Sequence, residues 1–380
     1  MDYSTLAPDY VRAIAPYIPG KPSSEVAREL GLNPADIVKL ASNENPLGCS
    51  PRAKEAMVKA LEDIHIYPDG SCYDLRNTLS RRHDVPLDGV LVGNGSNDVL
   101  EYLAMAFLAR ESTVVFSQYC FAVYPLATQA RGATGIKVLA RDFGNDLQAI
   151  RAAILPSTKL VYLANPNNPT GTFTPYAEIK AFLQSMPANV IVCLDEAYNE
   201  YLPKELRFDT TPWLKEFPNL VISRTFAKIY GLAGLRIGYA LTNPQIADMV
   251  NRVRAPFNVN SVAQAAALAA LHDQDFVERA YQNNRAGMAQ LEAGSKQLGL
   301  SFIPSFANFL TIQVAQTGAR GAAINAALLK RGVTVRPLAG YELPTYLRVT
   351  IGTPIENSKF LAALEAALAE TKASPCSSDS

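Results

Sequence analysis

Hydrophobic and polar positions change texture along the chain. Between Val90 and Leu241, short apolar, β-branched runs recur at Val90–Val92, Thr113–Phe116, Lys159–Leu163, Val190–Leu194, Leu220–Ser223 and Ile237–Leu241. Helical patterns such as Asn97–Ala109 and Tyr176–Met186 separate them. Strands that are apolar on both faces must be covered on both, so this alternation predicts an α/β unit with a mostly parallel sheet and helices on each side. A long helical stretch follows Asn260, and then FLTIQV, TVRPL and LRVTIG alternate with two more helices, which reads as a smaller α+β unit. The proline-rich start (APDY, APYIPGKP, NENPLG) reads as an arm that wraps over other structure and partly joins the smaller unit. Ser50 is the expected cap of a helix whose first turn holds Pro51. The predicted organisation is therefore an arm over 1–49, a large unit over 50–259, a small unit over 260–371 and a polar, disordered tail over 372–380.

Composition narrows the function classes. The 380 residues exceed one small core at roughly 150 residues per domain. With 35 basic and 35 acidic residues there is no net field to recruit nucleic acid or an acidic membrane, so an anion must be held by a few local donors. The five cysteines are scattered without metal-ligand spacing, and the three histidines (His65, His83, His272) are isolated, so no metal site is expected. The N-terminus lacks an apolar run of signal-peptide length, and no stretch approaches the ~20 apolar residues of a membrane span. The expected location is the cytoplasm.

Four segments carry candidate chemistry. SRTFAKIYGLAGLRIGY (223–239) starts at the end of a strand and carries Thr225, Lys228 and Arg236. A lysine in an apolar, glycine-rich setting can lose its proton and become a Schiff-base nucleophile, and the flanking hydroxyl and guanidinium could grip one phosphate. VYLANPNNPTGTF (161–173) leaves a strand in a turn that offers Asn168 as a donor to a phenolate oxygen, although NP and PTG would also make a plain turn. VIVCLDEAYNEY (190–201) puts Asp195 after five apolar residues, where a carboxylate is costly without a cationic partner such as a protonated pyridine nitrogen. Tyr198 follows within reach of the same ligand. VLVGNGSNDVLEYL (90–103) is strand, glycine turn, helix, and aims the backbone N–H groups of Gly95, Ser96 and Asn97 at an anion.

In chain order (glycine turn, NPNNPTG, buried DEAY, then Thr-x-x-Lys with an arginine eight residues on) the four segments resemble the aspartate-aminotransferase fold family of pyridoxal-5′-phosphate (PLP) enzymes. Within it they are most similar to the histidinol-phosphate aminotransferases, on VRAIAPYIPGKP, LASNENPLG, YPDG, SRTFAKIYGLAGLRIGY, APFNVN and LRVTIGT. The likeness runs from about Val11 to Thr371. It implies a homodimer with PLP in a cleft between two domains, and reversible amino transfer between L-histidinol phosphate and 2-oxoglutarate. It further implies that Lys228 carries the cofactor as a Schiff base and shuttles a proton, that Asp195 pairs with the pyridinium nitrogen, and that Tyr198 and Asn168 hold the phenolate. Tyr119 would stack on the ring. Ser96, Asn97, Thr225 and Arg236 would cradle the phosphate, with Tyr67 added from the partner subunit. Arg348 would fork onto the donor's carboxylate, and Arg336, Tyr17 and Asn43 would line the substrate side.

Two positions depart from that pattern. Ala227 stands where a serine is usual, and Phe257 where many relatives have a tyrosine. An aromatic amino-acid aminotransferase, a PLP decarboxylase or lyase of a phosphorylated amino acid, and a PLP-sensing regulatory domain remain as rivals. The last lacks an attached helix-turn-helix or basic patch.

Overall fold

The computed structural model describes residues 2–16 and 22–373. Its strands, in chain order, are β1 (Val38–Lys39), β2 (Val90–Gly93), β3 (Thr113–Ser117), β4 (Thr134–Val138), β5 (Thr158–Ala164), β6 (Ile191–Asp195), β7 (Leu220–Thr225), β8 (Gly238–Thr242), β9 (Ser301–Ile303), β10 (Phe309–Gln313), β11 (Val333–Thr334), β12 (Arg336–Leu338) and β13 (Leu343–Thr350). Seven of them form one sheet in the order β2-β8-β7-β6-β5-β3-β4. β8 runs antiparallel to both its neighbours and the other pairs are parallel. Each apolar run read from the sequence is a strand here, and β4 is an addition.

The central strands explain themselves by burial on both faces. Every residue of β6 and of β7 is buried. Val192 and Leu194 pack with Ile179, Phe182 and Leu183 of the helix Tyr176–Ser185, while Cys193 between them packs with Leu100 and Leu103 of the helix Ser96–Phe107. Alternate side chains thus enter opposite cores, and each large one contributes about 1.5–3 kcal/mol by leaving water. The helix Pro51–Ala60 starts as its sequence dictates: Ser50 accepts a hydrogen bond from the Ala53 N–H, and Pro51 occupies the first turn.

A four-stranded antiparallel sheet, β12-β13-β10-β9, forms the second layer system. Leu310 and Ile312 of β10 pack there against Ile324 and Leu328 of the helix Gly318–Lys330, and against Phe360 and Leu364 of the helix Pro354–Ala373. The N-terminal segment joins it, since β1 pairs in parallel with β11 and Val38 and Leu40 enter this core. The stretch after Asn260 divides into two helices, Ser261–Leu271 and Gln274–Gln297, because Asp273 caps the second through the Phe276 N–H. The first packs its alanines with the larger unit, and the second contributes Tyr281 to one core and Leu291 to the other. Packing therefore passes between the units inside that second helix, downstream of the boundary expected at Asn260. The last helix runs to Ala373, two residues into the expected tail, and 374–380 lie outside the described residues. Among the described residues no helix is long and apolar enough to cross a membrane.

β5, β6 and β7 end side by side: Ala164 pairs with Asp195, and Asp195 with Ser223. In open α/β sheets the crevice outside such carboxyl ends is where ligands bind.

Candidate active site

A cavity of about 220 Å³ opens at those strand ends. Lys228 reaches it from the turn after β7. That turn is closed by the Gly231 N–H donating to the Lys228 carbonyl (3.0 Å) and the Leu232 N–H to that of Phe226 (3.0 Å). Gly231 has φ +70°, and a Cβ there would run into the Gly48 carbonyl of the arm, so only glycine lets the two segments meet. The Lys228 ammonium donates to the Ser42 carbonyl at 3.4 Å and sits 5.5 Å from the centre of the Tyr198 ring. Desolvation, seconded by the charge of Arg348, pushes it down to about 7 from an ordinary 10.5, so a neutral amine is available near neutrality.

Asp195 ends β6 and is buried. Tyr124 Oη donates to its Oδ2 at 2.8 Å, and the Ala197 N–H to its Oδ1 at 3.2 Å. Burial pushes the carboxyl up to about 6 while both hydrogen bonds pull it back. Beside it the Tyr198 hydroxyl accepts from Asn43 Nδ2 at 2.9 Å, and burial pushes that phenol up to about 12. Asn43 ties three elements together. Its N–H donates to Thr350 Oγ1 (2.9 Å), its carbonyl accepts from Asn308 (3.0 Å), and its amide reaches Tyr198.

An anion cradle lies at one end. The helix Ser96–Phe107 begins at Gly95, whose φ of +91° would strain any other residue and beside which the Arg236 guanidinium lies close. Ser96, Asn97, Thr225 and Arg236 line the cavity together, so helix-terminal N–H groups, a hydroxyl and a cation converge there. At the other end, the Arg348 guanidinium donates to Asn168 Oδ1 (2.6 Å) and to the Ala41 carbonyl (3.1 Å). That leaves the amide nitrogen of Asn168 as its group for a ligand. Arg336 also lines the cavity, and is the cross-strand partner of Arg348.

The match to the class I and II aminotransferase family spans residues 35–364. This chain belongs to that family. Among curated relatives it is 57% identical to a histidinol-phosphate aminotransferase of Methylobacillus flagellatus, covering 94% of this chain and 96% of that one. It is 53% identical to histidinol-phosphate aminotransferase 2 of Nitrosospira multiformis, covering 98% and 94% respectively. Among solved structures, the histidinol-phosphate aminotransferase of Sinorhizobium meliloti in complex with pyridoxal-5′-phosphate superposes with a TM-score of 0.87 at 27% identity, covering 95% of this chain and 97% of that one.

Among the described candidate residues of this class I and II aminotransferase, Tyr119, Tyr67 and Gly95 are not part of the cavity lining. Tyr119 stacks on Phe143, with centroids 5.9 Å apart, and its carbonyl accepts from Asn167 at 2.7 Å. The aromatic that faces the cavity from this loop is Phe121, two residues on, because the loop turns into the helix Val123–Gln129 there. Tyr67 is 80% exposed and stacks on Phe257 at 4.9 Å. Tyr17 lies outside the described residues. Sequence reasoning missed Tyr124, Phe121 and Tyr341, which all line the cavity. Aromatics in ordinary loop and helix contexts carry no signal that could have singled them out.

Proposed function

We propose that this chain is a PLP-dependent enzyme that transfers the amino group of L-histidinol phosphate to 2-oxoglutarate, giving imidazole-acetol phosphate and L-glutamate. The observation that carries it is the lysine pushed down to about 7 in a cleft between a buried carboxylate and an anion cradle. The residues fit PLP part by part. Ser96, Asn97, Thr225 and Arg236 would hold its phosphate, Asp195 its ring nitrogen, and Tyr198 and Asn168 its phenolate, while Phe121 offers a ring face. When bound, the cofactor supplies a carbonyl that condenses with amines and a ring that accepts electrons from the substrate α-carbon.

The chain's own groups do the rest. Lys228, uncharged for half or more of the time above about pH 7, can take the α-proton and return it elsewhere. Asp195 keeps a proton on the ring nitrogen by staying ionised. Two arginines side by side suit substrates that bring a phosphate ester in one half-reaction and a dicarboxylate in the other. The near full-length identity to two enzymes named for histidinol phosphate supports that choice of donor.

The working form we infer is a cytoplasmic homodimer. Val58, Leu61, Ile64, Ile66 and Tyr67 are all exposed along one short stretch, and Phe257 lies against the last of them. So many exposed large apolar side chains in one short stretch favour a protein partner over water. A second copy would bring Tyr67 to the neighbouring cleft.

The test is an assay of purified protein with histidinol phosphate, phenylalanine and threonine phosphate, each with 2-oxoglutarate. Histidinol phosphate should give the highest kcat/KM. A preference for phenylalanine would replace this reading by that of an aromatic amino-acid aminotransferase. Borohydride should fix the cofactor on Lys228, and an adduct on any other lysine would remove the central assignment.

A further inference from the structure

Tyr124 is a buried tyrosine whose hydroxyl ends on the carboxylate that matters most. Its Oη donates to Asp195 Oδ2 at 2.8 Å. Its ring lies flat on Tyr162, with centroids 4.5 Å apart and planes 7° from parallel. The Tyr162 hydroxyl is itself tied to the Leu100 carbonyl at 2.7 Å, and Phe121 packs edge-on to Tyr124 at 5.9 Å. A ring held on its face and edge cannot swing, so the hydroxyl is delivered to one point. With the Ala197 N–H on the other oxygen, both oxygens of Asp195 are engaged and the carboxylate plane is set. The tyrosine gains nothing as an acid, since burial and the nearby carboxylate push its own proton loss well beyond the usual phenol range. It can only donate.

A hydrogen bond to the charged form of an acid favours that form and weakens its hold on a proton. Between a carboxylate and a pyridine nitrogen that share one proton, weakening the carboxylate leaves the proton on the ring. We propose that Tyr124 is a positioning residue whose hydroxyl orients Asp195 and keeps it ionised, so that the cofactor's ring nitrogen stays protonated in the working enzyme. The inference rests on PLP being the ligand of this cleft. It assigns the control of Asp195 to a side chain at the cavity wall whose hydroxyl is committed to that carboxylate.

The experiment loads ring-¹⁵N pyridoxal phosphate into the wild-type dimer and into Tyr124→Phe, and follows the nitrogen chemical shift against pH. Tyr124→Phe should show a nitrogen shift displaced toward the unprotonated value throughout the pH range in which the wild-type ring holds its proton, because the more basic carboxylate takes a larger share of it. Its kcat should fall roughly tenfold or more with little change in KM, since the substrate contacts are intact. Tyr162→Phe, which deletes a hydroxyl from the same stack without touching Asp195, should leave the ring titration where it is. A fluorinated tyrosine at position 124, a stronger donor in an otherwise native chain, should move the nitrogen shift the opposite way. Superimposable titrations of wild type, Tyr124→Phe and the fluorinated protein would overturn the proposal. Failure of the wild type to take up the cofactor at all would instead bring down the reading it rests on.

Discussion

Arg336 and Arg348 are register partners across the antiparallel pair of β12 and β13, so their side chains leave the sheet on one face, toward the cavity. Like charges directly opposite are unfavourable unless something anionic joins them. Their environments differ. Arg348 is anchored to Asn168 and to the Ala41 carbonyl, so removing it also releases a residue proposed to touch the cofactor. Arg336→Ala should therefore be the selective lesion. We expect kcat/KM for histidinol phosphate to fall roughly ten- to a hundredfold more than for phenylalanine, the worth of one charged contact to phosphate. Arg348→Ala should damage all donors alike. Equal losses in Arg336→Ala would make that arginine structural.

Lys228 makes a second prediction that needs no turnover. Its amine titrates at about 7 when folded against an ordinary 10.5. Between those values the unfolded chain binds the proton and the folded chain does not, so stability rises with pH across that window. Below it both states carry the charge, and the folded state bears the cost of burying it. Cofactor-free Lys228→Met should then be more stable than cofactor-free wild type at pH 6, with the difference shrinking as pH climbs toward 10. Thermal unfolding at a series of pH values reads this directly. A difference that is flat with pH would mean the ammonium is not desolvated.

The sheet was legible because its central strands are apolar on both faces and nothing else in a chain of this composition looks like that. β4 was missed for the opposite reason. It lies at the sheet edge, most of its TGIKV is not buried, and Gly135 there makes room for the Phe116 ring. The arm's helix Ser23–Leu30 buries only Val26 and Ala27, too little for an apolar stripe to stand out among prolines. The chemistry at strand ends could be read because Asp195 and Lys228 are out of place in apolar surroundings, and cost marks them. Tyr119 and Phe121 could not be told apart, since which aromatic of a loop faces inward depends on a turn that the loop's own sequence does not announce. Tyr124 was invisible for a similar reason: its partner lies 71 positions away.

Directly behind the cofactor-side residues sits a buried ion pair. Arg224 Nε and Nη2 reach Glu196 Oε2 at 2.9 and 2.8 Å, and Thr210 donates to Glu196 Oε1 at 2.7 Å. Glu196 follows Asp195 and Arg224 precedes Thr225, so the pair clamps β6 to β7 where both enter the site. Removing one partner strands a buried charge. Arg224→Met should cost about 3–5 kcal/mol in chemical denaturation, and the double replacement Arg224→Met with Glu196→Leu should recover a large part of it. Additive losses in the double variant would mean that the two charges do not depend on each other.

Tyr67 supplies the last prediction. It is 80% exposed in its own chain, stacked on Phe257 and absent from that chain's cavity lining, although it lies in the turn that the family likeness assigns to the cofactor phosphate. An isologous dimer would resolve this, since each copy lends the same surface to the other and each site then draws on both chains. Lys228→Ala and Tyr67→Ala subunits, each poorly active alone, can be unfolded, mixed in equal amounts and refolded. About half of the dimers should be mixed, and each mixed dimer would hold one site with both residues native and one with neither. Roughly a quarter of all sites should regain wild-type activity. If Tyr67 instead served its own chain, each site of a mixed dimer would lack one of the two residues. Activity would then stay at the average of the parents, and the shared site would have to be given up.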